Sequence, residues 1–285
     1  MSGSISRTVL VTGCSSGIGH ATAARLAGRG WTVYATARRP ETLAGLAAAG
    51  CRTLALDVTD EASMGVAVAT VEREAGGVEV LVNNAGYSQG GALEEVPLDQ
   101  LRRQFETNVF GLLRMAQLVL PGMRARRSGR IVNVGSMGGR LTFPGGGAYH
   151  ATKYAVEALS DALRFEVAGF GVGVVLIEPG LIRTDFGTTA VASLEGLPEG
   201  DGPYSTFTSA VAATTAGAYA GPMGRMLGAG PEAVARVIER AASARRPRAR
   251  YVVTAGARVM IGLHAALPDR AFDAVLARQY PRPGG

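Results

Sequence analysis

The stretch that decides the fold is TVLVTGCSSGIGHATAARLAGRG, residues 8–30. A short apolar strand at 8–12 runs into a glycine-rich loop, and a helical pattern follows at once. Glycine in such a loop permits an unusual backbone turn and lets the chain approach phosphate oxygens closely. Because the start of a helix attracts negative charge, we expect this unit to bind a pyrophosphate group.

Short apolar strands and longer helical segments alternate along the chain. Strands are predicted at 8–12, 32–36, 52–57, 78–83, 130–134, 172–178 and 250–254, and helices near 18–29, 60–75, 97–127, 149–169 and 231–244. This alternation predicts right-handed βαβ units. We therefore expect an α/β fold: a doubly wound parallel sheet of the Rossmann type, with helices on both faces, in a single domain over residues 1–285. The irregular stretch at 186–230 is too long for an ordinary connection and is predicted to be an inserted substrate loop or lid.

Composition excludes several classes of protein. The 285 residues are 47% hydrophobic and 18% charged, which predicts a folded chain rather than a disordered one. No apolar run approaches the roughly 18 residues of a membrane span, and no signal-like segment is seen, so we expect a soluble, cytoplasmic protein. Cys14 and Cys51 lack metal-ligand spacing, and no metal site is predicted. The net charge is +6, but the arginine clusters follow helices, which disfavours a nucleic-acid partner.

One basic residue stands apart from the rest. Lysine and arginine total 29, and Lys153 is the single lysine, which leaves 28 arginines. Tyr149 precedes Lys153 by four residues in a helical pattern, so both side chains share one helix face. A phenol titrates near about 10, and a nearby ammonium favours its ionised form. We infer that position 153 needs a compact ammonium, because a planar guanidinium could otherwise have replaced it.

A series of motifs follows in a fixed order along the chain. They are TGCSSGIG at 12–19, Asp57-Val58, NNAG at 83–86, Asn108 in TNVFG, Ser136 in VGSMGG, Tyr149 and Lys153 in YHATK, and Pro179-Gly180 to Thr184 in PGLIRT. From Thr12 onward the chain resembles the short-chain dehydrogenase/reductases, over roughly residues 5–186. Its motifs are most similar to the branch that contains 17-beta-hydroxysteroid dehydrogenase type 1 and the retinol dehydrogenases.

The resemblance implies a role for each matching residue. Ser136 would position the substrate oxygen, Tyr149 would deliver the proton, Lys153 would tune Tyr149 and hold the ribose, and Asn108 would kink its helix and complete a proton relay. Residues 87–94, 138–146 and those after Pro179 would line the substrate pocket. The implied cofactor-binding residues are Gly13, Ser15, Ser16, Gly17, Ile18, Gly19, Arg38, Arg39, Asp57, Val58, Asn84, Ala85, Gly86, Tyr149, Lys153, Pro179, Gly180, Ile182 and Thr184.

The end of the second strand indicates which cofactor is bound. Enzymes that bind NAD(H) place an acidic residue there, whereas an arginine accommodates the 2′-phosphate of NADP(H). In this chain Ala37 occupies the position of that acidic residue, and Arg38 and Arg39 follow. We therefore predict NADP(H). Asp57 would accept a hydrogen bond from the adenine amino group, and its alternative role is that of a turn residue before a helix.

The predicted activity is hydride transfer between NADP(H) and a ketone or secondary alcohol. An apolar small molecule is expected, and steroid, retinoid, polyketide-like and simple ketone substrates stay open. The alternative is a non-catalytic NADP(H)-binding sensor or scaffold, while the glycine spacing disfavours an epimerase or dehydratase. His150 is interpreted as a neighbour of Tyr149 without acid/base function. The family's helices at 97–127 and 149–169 imply a homodimer or homotetramer, and the tail at 255–280 either covers that surface or packs as a cap.

Overall fold

A computed structural model describes residues 7–194, 202–221 and 226–284. Its seven strands form one parallel sheet in the order β3-β2-β1-β4-β5-β6-β7. They are β1 Thr8–Val11, β2 Thr32–Ala37, β3 Arg52–Ala55, β4 Val80–Asn83, β5 Gly129–Val134, β6 Val172–Glu178 and β7 Arg250–Val252. The strand order reverses between β1 and β4, which opens a crevice at the carboxyl ends of these strands. The expected doubly wound, single-domain fold is confirmed.

Helices cover both faces of the sheet. They are α1 Gly17–Ala27, α2 Ala44–Ala48, α3 Glu61–Ala75, α4 Leu98–Phe105, α5 Gly111–Arg126, α6 Gly147–Ala168, α7 Phe186–Ala192, α8 Ser205–Ala220, α9 Pro231–Ser243, α10 Ala255–Ala266 and α11 Asp269–Leu276. Short 3₁₀ turns lie at Pro40–Leu43 and Met137–Gly139. Sequence reasoning missed the turn and helix at 40–48, because five residues of helix are too few to show a period.

Two apolar layers hold the helices on the sheet. Val9 and Val11 contribute to the layer that contains Ile238 of α9, whereas Leu10 contributes to the layer that contains Met115 of α5. All of these side chains are fully buried. Because successive strand residues point to opposite faces, a strand covered on both sides must be apolar throughout. This requirement explains the continuous apolar runs in the sequence.

The single helix predicted at 97–127 is interrupted at Asn108. A π-helical turn at Glu106–Phe110 separates α4 from α5. The buried Asn108 side chain donates from Nδ2 to the Tyr87 carbonyl at 2.9 Å and to Thr152 Oγ1 at 3.1 Å, and its Oδ1 accepts from the Tyr87 amide at 3.1 Å. These bonds fix a wide turn that the regular helical pattern would not produce. The interruption at this residue agrees with the expected kink.

A buried amide chain fixes α6 relative to the sheet. Asn83 on β4 donates to Asn133 Oδ1 at 3.0 Å and to the Leu112 carbonyl at 3.1 Å, and Asn133 on β5 donates to Ser160 Oγ on α6 at 2.9 Å. Buried amides are costly when unpaired, so each bond here favours one position of the helix. Asn83 therefore has a structural part in the fold.

The segment at 186–230 contains α7 and α8, while residues 195–201 and 222–225 lie outside the described residues. A parallel bridge joins Ile182 to Ala229. The tail folds back as α10 and α11, and Tyr280 packs against an apolar cluster that includes Phe207 and Val211 of α8. The tail thus packs as a cap, one of the two arrangements that the sequence allowed. Within the described ranges, no helix is both long and apolar enough to cross a membrane.

Candidate active site

The glycine loop folds tightly against the start of α1. Gly13 and Gly17 have φ angles of +71° and +57°, which favour glycine. A Cβ atom at Gly19 would lie 2.2 Å from the Gly13 carbonyl oxygen. Ser16 is the N-cap residue of α1, makes no side-chain cap hydrogen bond, and is followed by no acidic residue in the first turn. The start of α1 thus has no side-chain cap and no nearby acidic side chain in its first turn, an arrangement that suits a pyrophosphate group.

The segment that follows β4 is hydrogen-bonded to the glycine loop. The Asn84 amide Nδ2 donates to the carbonyls of Thr12 and Gly13, both at 3.0 Å, and the Thr12 hydroxyl accepts from the backbone amides of Asn84 and Ala85. A Cβ atom at Gly86 would lie 3.0 Å from Asn108 Oδ1. The structure therefore brings the loop after β1 together with the NNAG segment, as the motifs predicted.

The segment after β6 closes the same crevice. Thr184 lies against the glycine loop, since a Cβ atom at Gly17 would be 3.3 Å from Thr184 Cγ2. Ile182 is buried. A Cβ atom at Gly180 would lie 2.2 Å from Thr254 Oγ1, so only glycine permits this approach after Pro179.

The residues predicted to bind the adenosine half of the cofactor lie at the ends of β2 and β3. Ala37 is buried, whereas Arg38 and Arg39 are exposed. No ion pair between either arginine and another described residue is found. Asp57 Oδ1 accepts from the amide and hydroxyl of Thr59 at 2.9 and 2.8 Å, and Val58 is buried. Asp57 thus acts as a turn residue, which is compatible with an additional contact to adenine.

Ser136, Tyr149 and Lys153 meet at the carboxyl end of β5. The Ser136 hydroxyl accepts from the Gly138 amide at 3.0 Å, and it is close enough to Tyr149 to lower the pKa of that phenol against the effect of burial. Lys153 is buried, its Nζ donates to the Val134 carbonyl at 2.9 Å, and the same Nζ lies 5.7 Å from the centroid of the Tyr149 ring. An ammonium, a phenol and a serine hydroxyl therefore converge at the same edge of the sheet as the glycine loop.

Burial controls the electrostatics of this trio. It raises the pKa of Tyr149 above its usual range, with the Ser136 hydrogen bond opposing the rise. Burial also lowers the pKa of Lys153 to about 8, with the charge of Glu157 opposing the fall. From the sequence we expect the Lys153 ammonium, together with the ring cation of the oxidised cofactor, to lower the pKa of Tyr149. Among the protein's own groups, desolvation of the phenol is the larger effect, and the joint effect with the oxidised cofactor stays a prediction.

Aromatic rings from α7 and α8 cover Tyr149. The ring centroid of Tyr149 lies 5.5 Å from that of Phe186, and Phe186 lies 6.4 Å from Tyr219. A cavity of about 500 Å³ at the start of α6 is lined by residues 91–93, 142–145 and 147, by α8, and by the tail helices. Residues 91–93 and 142–145 fall within the expected substrate walls, and Gly147 lies one residue beyond them. The contribution of the tail was missed, although its apolar residues at helical spacing were visible in the sequence.

Sequence reasoning also missed a charged cluster next to Lys153. Glu157 of α6 and Glu178 of β6 are buried, and both lie within reach of Arg250 on β7. A carboxylate four residues after Lys153, and another at the end of an apolar strand, were the available signals. Among the described residues, no group of three or more His, Cys, Asp or Glu side chains is arranged to hold a metal ion.

His150 joins the two ends of the loop that precedes α6. Its Nδ1 lies 2.9 Å from the Gly138 carbonyl, and its Nε2 accepts from the Phe143 amide at 3.2 Å. These partners assign a neutral ring with the proton on Nδ1. Burial lowers the pKa of His150. The ring therefore supports the substrate wall and is committed to backbone partners, in agreement with its interpretation as a neighbour of Tyr149.

This arrangement predicts an acid-sensitive contribution to stability. Since folding lowers the pKa of His150, protonation favours the unfolded chain, so the contribution is present above about pH 6.5 and is lost as the pH falls below it. The free energy of unfolding, measured in urea, should fall between pH 8 and pH 5 in the wild type. This fall should be about 1 kcal/mol larger in the wild type than in His150→Gln. The exposed His20→Gln is the matched control. An equal pH dependence in wild type and His150→Gln would contradict this assignment.

Comparison with known proteins agrees with this geometry. The family model described as short chain dehydrogenase matches residues 7–194. The chain is 43% identical over 178 residues to a 3-ketodihydrosphingosine reductase of Bacteroides thetaiotaomicron, covering 62% of this chain and 65% of that protein. It is 34% identical over 278 residues to an NADPH-dependent 3-dehydrocapnine reductase of Ornithobacterium rhinotracheale, covering 94% and 95% of the two proteins.

A solved structure extends the similarity to the whole fold. The crystal structure of a short-chain dehydrogenase from Streptomyces avermitilis is 36% identical in sequence, with a TM-score of 0.76. The match covers 98% of this chain and 97% of that one. The chain therefore belongs to the short-chain dehydrogenase/reductase family of nicotinamide-dependent oxidoreductases.

Proposed function

We propose that the protein is an NADP(H)-dependent reductase that transfers hydride between nicotinamide and a ketone or secondary alcohol. The observation that carries this proposal is the convergence of Ser136, Tyr149 and Lys153 at the sheet edge that also carries the glycine loop. The two relatives compared above are named as reductases of a 3-keto and a 3-dehydro compound, which favours a ketone as the physiological substrate. A sensor or scaffold would have no use for this trio of side chains.

Each member of the trio has a part in carbonyl reduction. The reduced nicotinamide, when bound, supplies the hydride that is added to the carbonyl carbon. The Ser136 hydroxyl orients the carbonyl oxygen, and the Tyr149 hydroxyl donates the proton that this oxygen receives. Because burial raises the pKa of Tyr149, the phenol keeps its proton at neutral pH until the oxygen gains charge. Lys153 supplies a compact positive charge one helical turn away and has donors suited to the ribose hydroxyls.

Asn108 has an indirect part in the proposed mechanism. Its side chain holds the π-helical turn and also bonds Thr152, the residue before Lys153. A wide turn leaves backbone carbonyls without their regular helical partners, so that such a carbonyl can hold a water molecule. We propose that this position completes the proton path from Lys153 to solvent.

The surroundings of Tyr149 favour an apolar substrate. Phe186 and Tyr219 form an aromatic cover, and Phe143, Phe207 and Phe272 line the neighbouring cavity. Pockets of this kind bind ligands through apolar contact, while a few polar groups fix orientation. The motif resemblance to the hydroxysteroid and retinol dehydrogenase branch points in the same direction. Long-chain, steroid, retinoid and polyketide-like ketones are therefore the first substrates to test, before simple ketones.

Replacing the proton donor should abolish turnover but leave cofactor binding intact. We expect Tyr149→Phe to lower kcat by about 10²- to 10⁴-fold, because the phenyl ring keeps the packing and removes only the hydroxyl. NADPH consumption with a panel of these ketones measures this loss, and fluorescence titration measures NADPH binding. Tyr154→Phe, an exposed tyrosine on the same helix, is the matched control. Tight NADPH binding without turnover of any ketone by the wild type would favour the sensor or scaffold.

The preference for NADP(H) is a separate proposal. It rests on Ala37, which places no carboxylate at the end of β2, and on the exposed guanidinium groups of Arg38 and Arg39. Guanidinium groups bind phosphate through charge-assisted hydrogen bonds, whereas the 2′-hydroxyl of NAD(H) gives them no negative charge to bind. The relative from Ornithobacterium rhinotracheale is named as NADPH-dependent.

Removing one of these arginines should weaken NADPH binding selectively. A hydrogen bond to a charged group contributes about 1.5 to 3 kcal/mol, so Arg38→Ala should raise the Kd for NADPH by roughly 10- to 100-fold. The Kd for NADH should change by about 2-fold at most, since no 2′-phosphate is present. Arg73→Ala, an exposed arginine on α3, controls for the loss of charge alone. Equal affinity of the wild type for NADH and NADPH would refute the proposal.

We further propose that the protein assembles as a homodimer or homotetramer in the cytoplasm. Phe110, at the end of the π-helical turn, is 52% exposed, and Phe165 on α6 is 85% exposed. Leu98 and Tyr154 are also exposed on α4 and α6. Large apolar side chains on neighbouring helices are typical of surfaces that are covered by another subunit.

A further inference from the structure

Five charged side chains, from three elements and the residue after a 3₁₀ turn, meet beside the two turns of α6 that follow Lys153. Arg250 Nε on β7 lies 3.0 Å from Glu157 Oε2 and 3.4 Å from Glu178 Oε1, and Arg250 Nη2 lies 2.5 Å from Asp161 Oδ2. Arg140, just after the 3₁₀ turn that Ser136 caps, places Nη1 3.3 Å from Glu178 Oε1. The Glu178 side chain is fully buried, whereas the Asp161 side chain is 44% exposed and also pairs with Arg164.

In each of the two buried carboxyl groups, one oxygen has a partner and the other has none. Glu157 Oε2 and Glu178 Oε1 have arginine partners, whereas the remaining oxygens, Glu157 Oε1 and Glu178 Oε2, are buried without a charged or hydrogen-bonding partner from another residue. The two carboxyl groups lie close together, because Glu157 Oε2 and Glu178 Oε1 both lie within 3.4 Å of Arg250 Nε. Two carboxylates cannot donate to one another, so a bond between them needs a proton. One proton on the pair supplies that donor and removes one of two buried negative charges.

This carboxyl pair lies directly against the turn of α6 that carries Lys153. Glu157 follows Lys153 by four residues and therefore shares its helix face. A Cβ atom at Gly139 would lie 2.8 Å from the Lys153 carbonyl oxygen and 2.9 Å from Glu157 Cγ, so the Ser136 turn packs on both residues. The charge of Glu157 favours the ammonium form of Lys153. The pair is thus near enough to influence Lys153 without touching the reacting groups.

We propose that Glu157 holds a proton against Glu178 and that the charge on this pair controls the protonation of Lys153. While the proton is held, the pair carries one negative charge. When the proton leaves to water as the pH rises, the pair carries two, and the added charge stabilises the ammonium. Arg250 and Arg140 hold the pair in place in both states. Glu157 and Glu178 are positioning residues that act through Lys153.

The charge of the pair opposes the effect of burial on Lys153. Burial and the neighbouring Glu178 raise the pKa of Glu157 to about 7. Burial lowers the pKa of Lys153 to about 8. Burial thus opposes the charged form of both groups, and a second negative charge on the pair extends the range of pH in which the ammonium persists. The effect on catalysis rests on the proposed function, whereas the effect on the charge of Lys153 does not.

The unique lysine makes this proposal directly measurable. Because Lys153 is the only lysine in the chain, protein labelled with [¹³Cε]lysine gives a single lysine signal whose shift can be followed from pH 6 to pH 10. We expect the pKa of Lys153 to fall by roughly one unit in Glu157→Gln. The glutamine amide can donate to Glu178 while its oxygen accepts from Arg250, so the packing is preserved. Glu178→Gln should lower the pKa of Lys153 less, since Glu178 lies on β6 and not on the helix that carries Lys153.

Asp161→Asn is the matched control, because Asp161 bonds the same Arg250 from the exposed end of the cluster. It should shift the pKa of Lys153 by only about 0.3 units or less. An unchanged pKa of Lys153 in both folded glutamine variants would overturn the proposal. In the same variants the alkaline limb of kcat/KM should move to lower pH. If the pKa of Lys153 falls while this limb stays in place, the carboxyl pair controls the charge of Lys153 as proposed. In that case the proposed catalytic role of Lys153 is wrong.

Discussion

The active site depends on how the buried ammonium of Lys153 is bonded to the end of β5. A buried charge requires a partner, and the carbonyl of Val134 provides it at 2.9 Å. This bond fixes one turn of α6 beside the strand. Tyr149, one turn earlier, then reaches Ser136, which lies two residues beyond Val134. Glu157, one turn later, reaches the carboxyl and guanidinium groups of β6 and β7. The helical repeat thus places an acid, a cation and a carboxyl pair along one face of α6.

Burial opposes the charged form of every ionisable group on this face. It raises the pKa of Tyr149, lowers that of Lys153 to about 8, and raises that of Glu157 to about 7. A neutral phenol suits a proton donor, but a neutral Lys153 would lose the charge that its role requires. The surrounding carboxyl pair supplies a compensating charge from within the protein. In this way the site can exclude water and still hold one positive charge.

Much of this site was readable from the sequence because its signals are local. The glycine loop, the Tyr149 and Lys153 spacing, and the polar Asn108 in an apolar helix each occupy a few consecutive residues. The branch, the substrate and the lid role of 186–230 stay predictions. The carboxyl cluster was not readable, because Arg250 is 93 residues away from Glu157 and only the sheet order brings them together. Similarly, the apolar period of the tail showed that one face is buried but not which surface it covers.

Hydride transfer to a carbonyl carbon is the central claim, and isotope transfer tests it most directly. The protein would be incubated with NADPH deuterated at nicotinamide C4, in each of its two configurations, and with a ketone that it turns over. We expect one configuration to deliver a single deuterium to the carbinol carbon of the product, since a fixed site presents one face of the ring. A product alcohol without deuterium from either form would contradict the account, because its carbon-bound hydrogen would then come from another source.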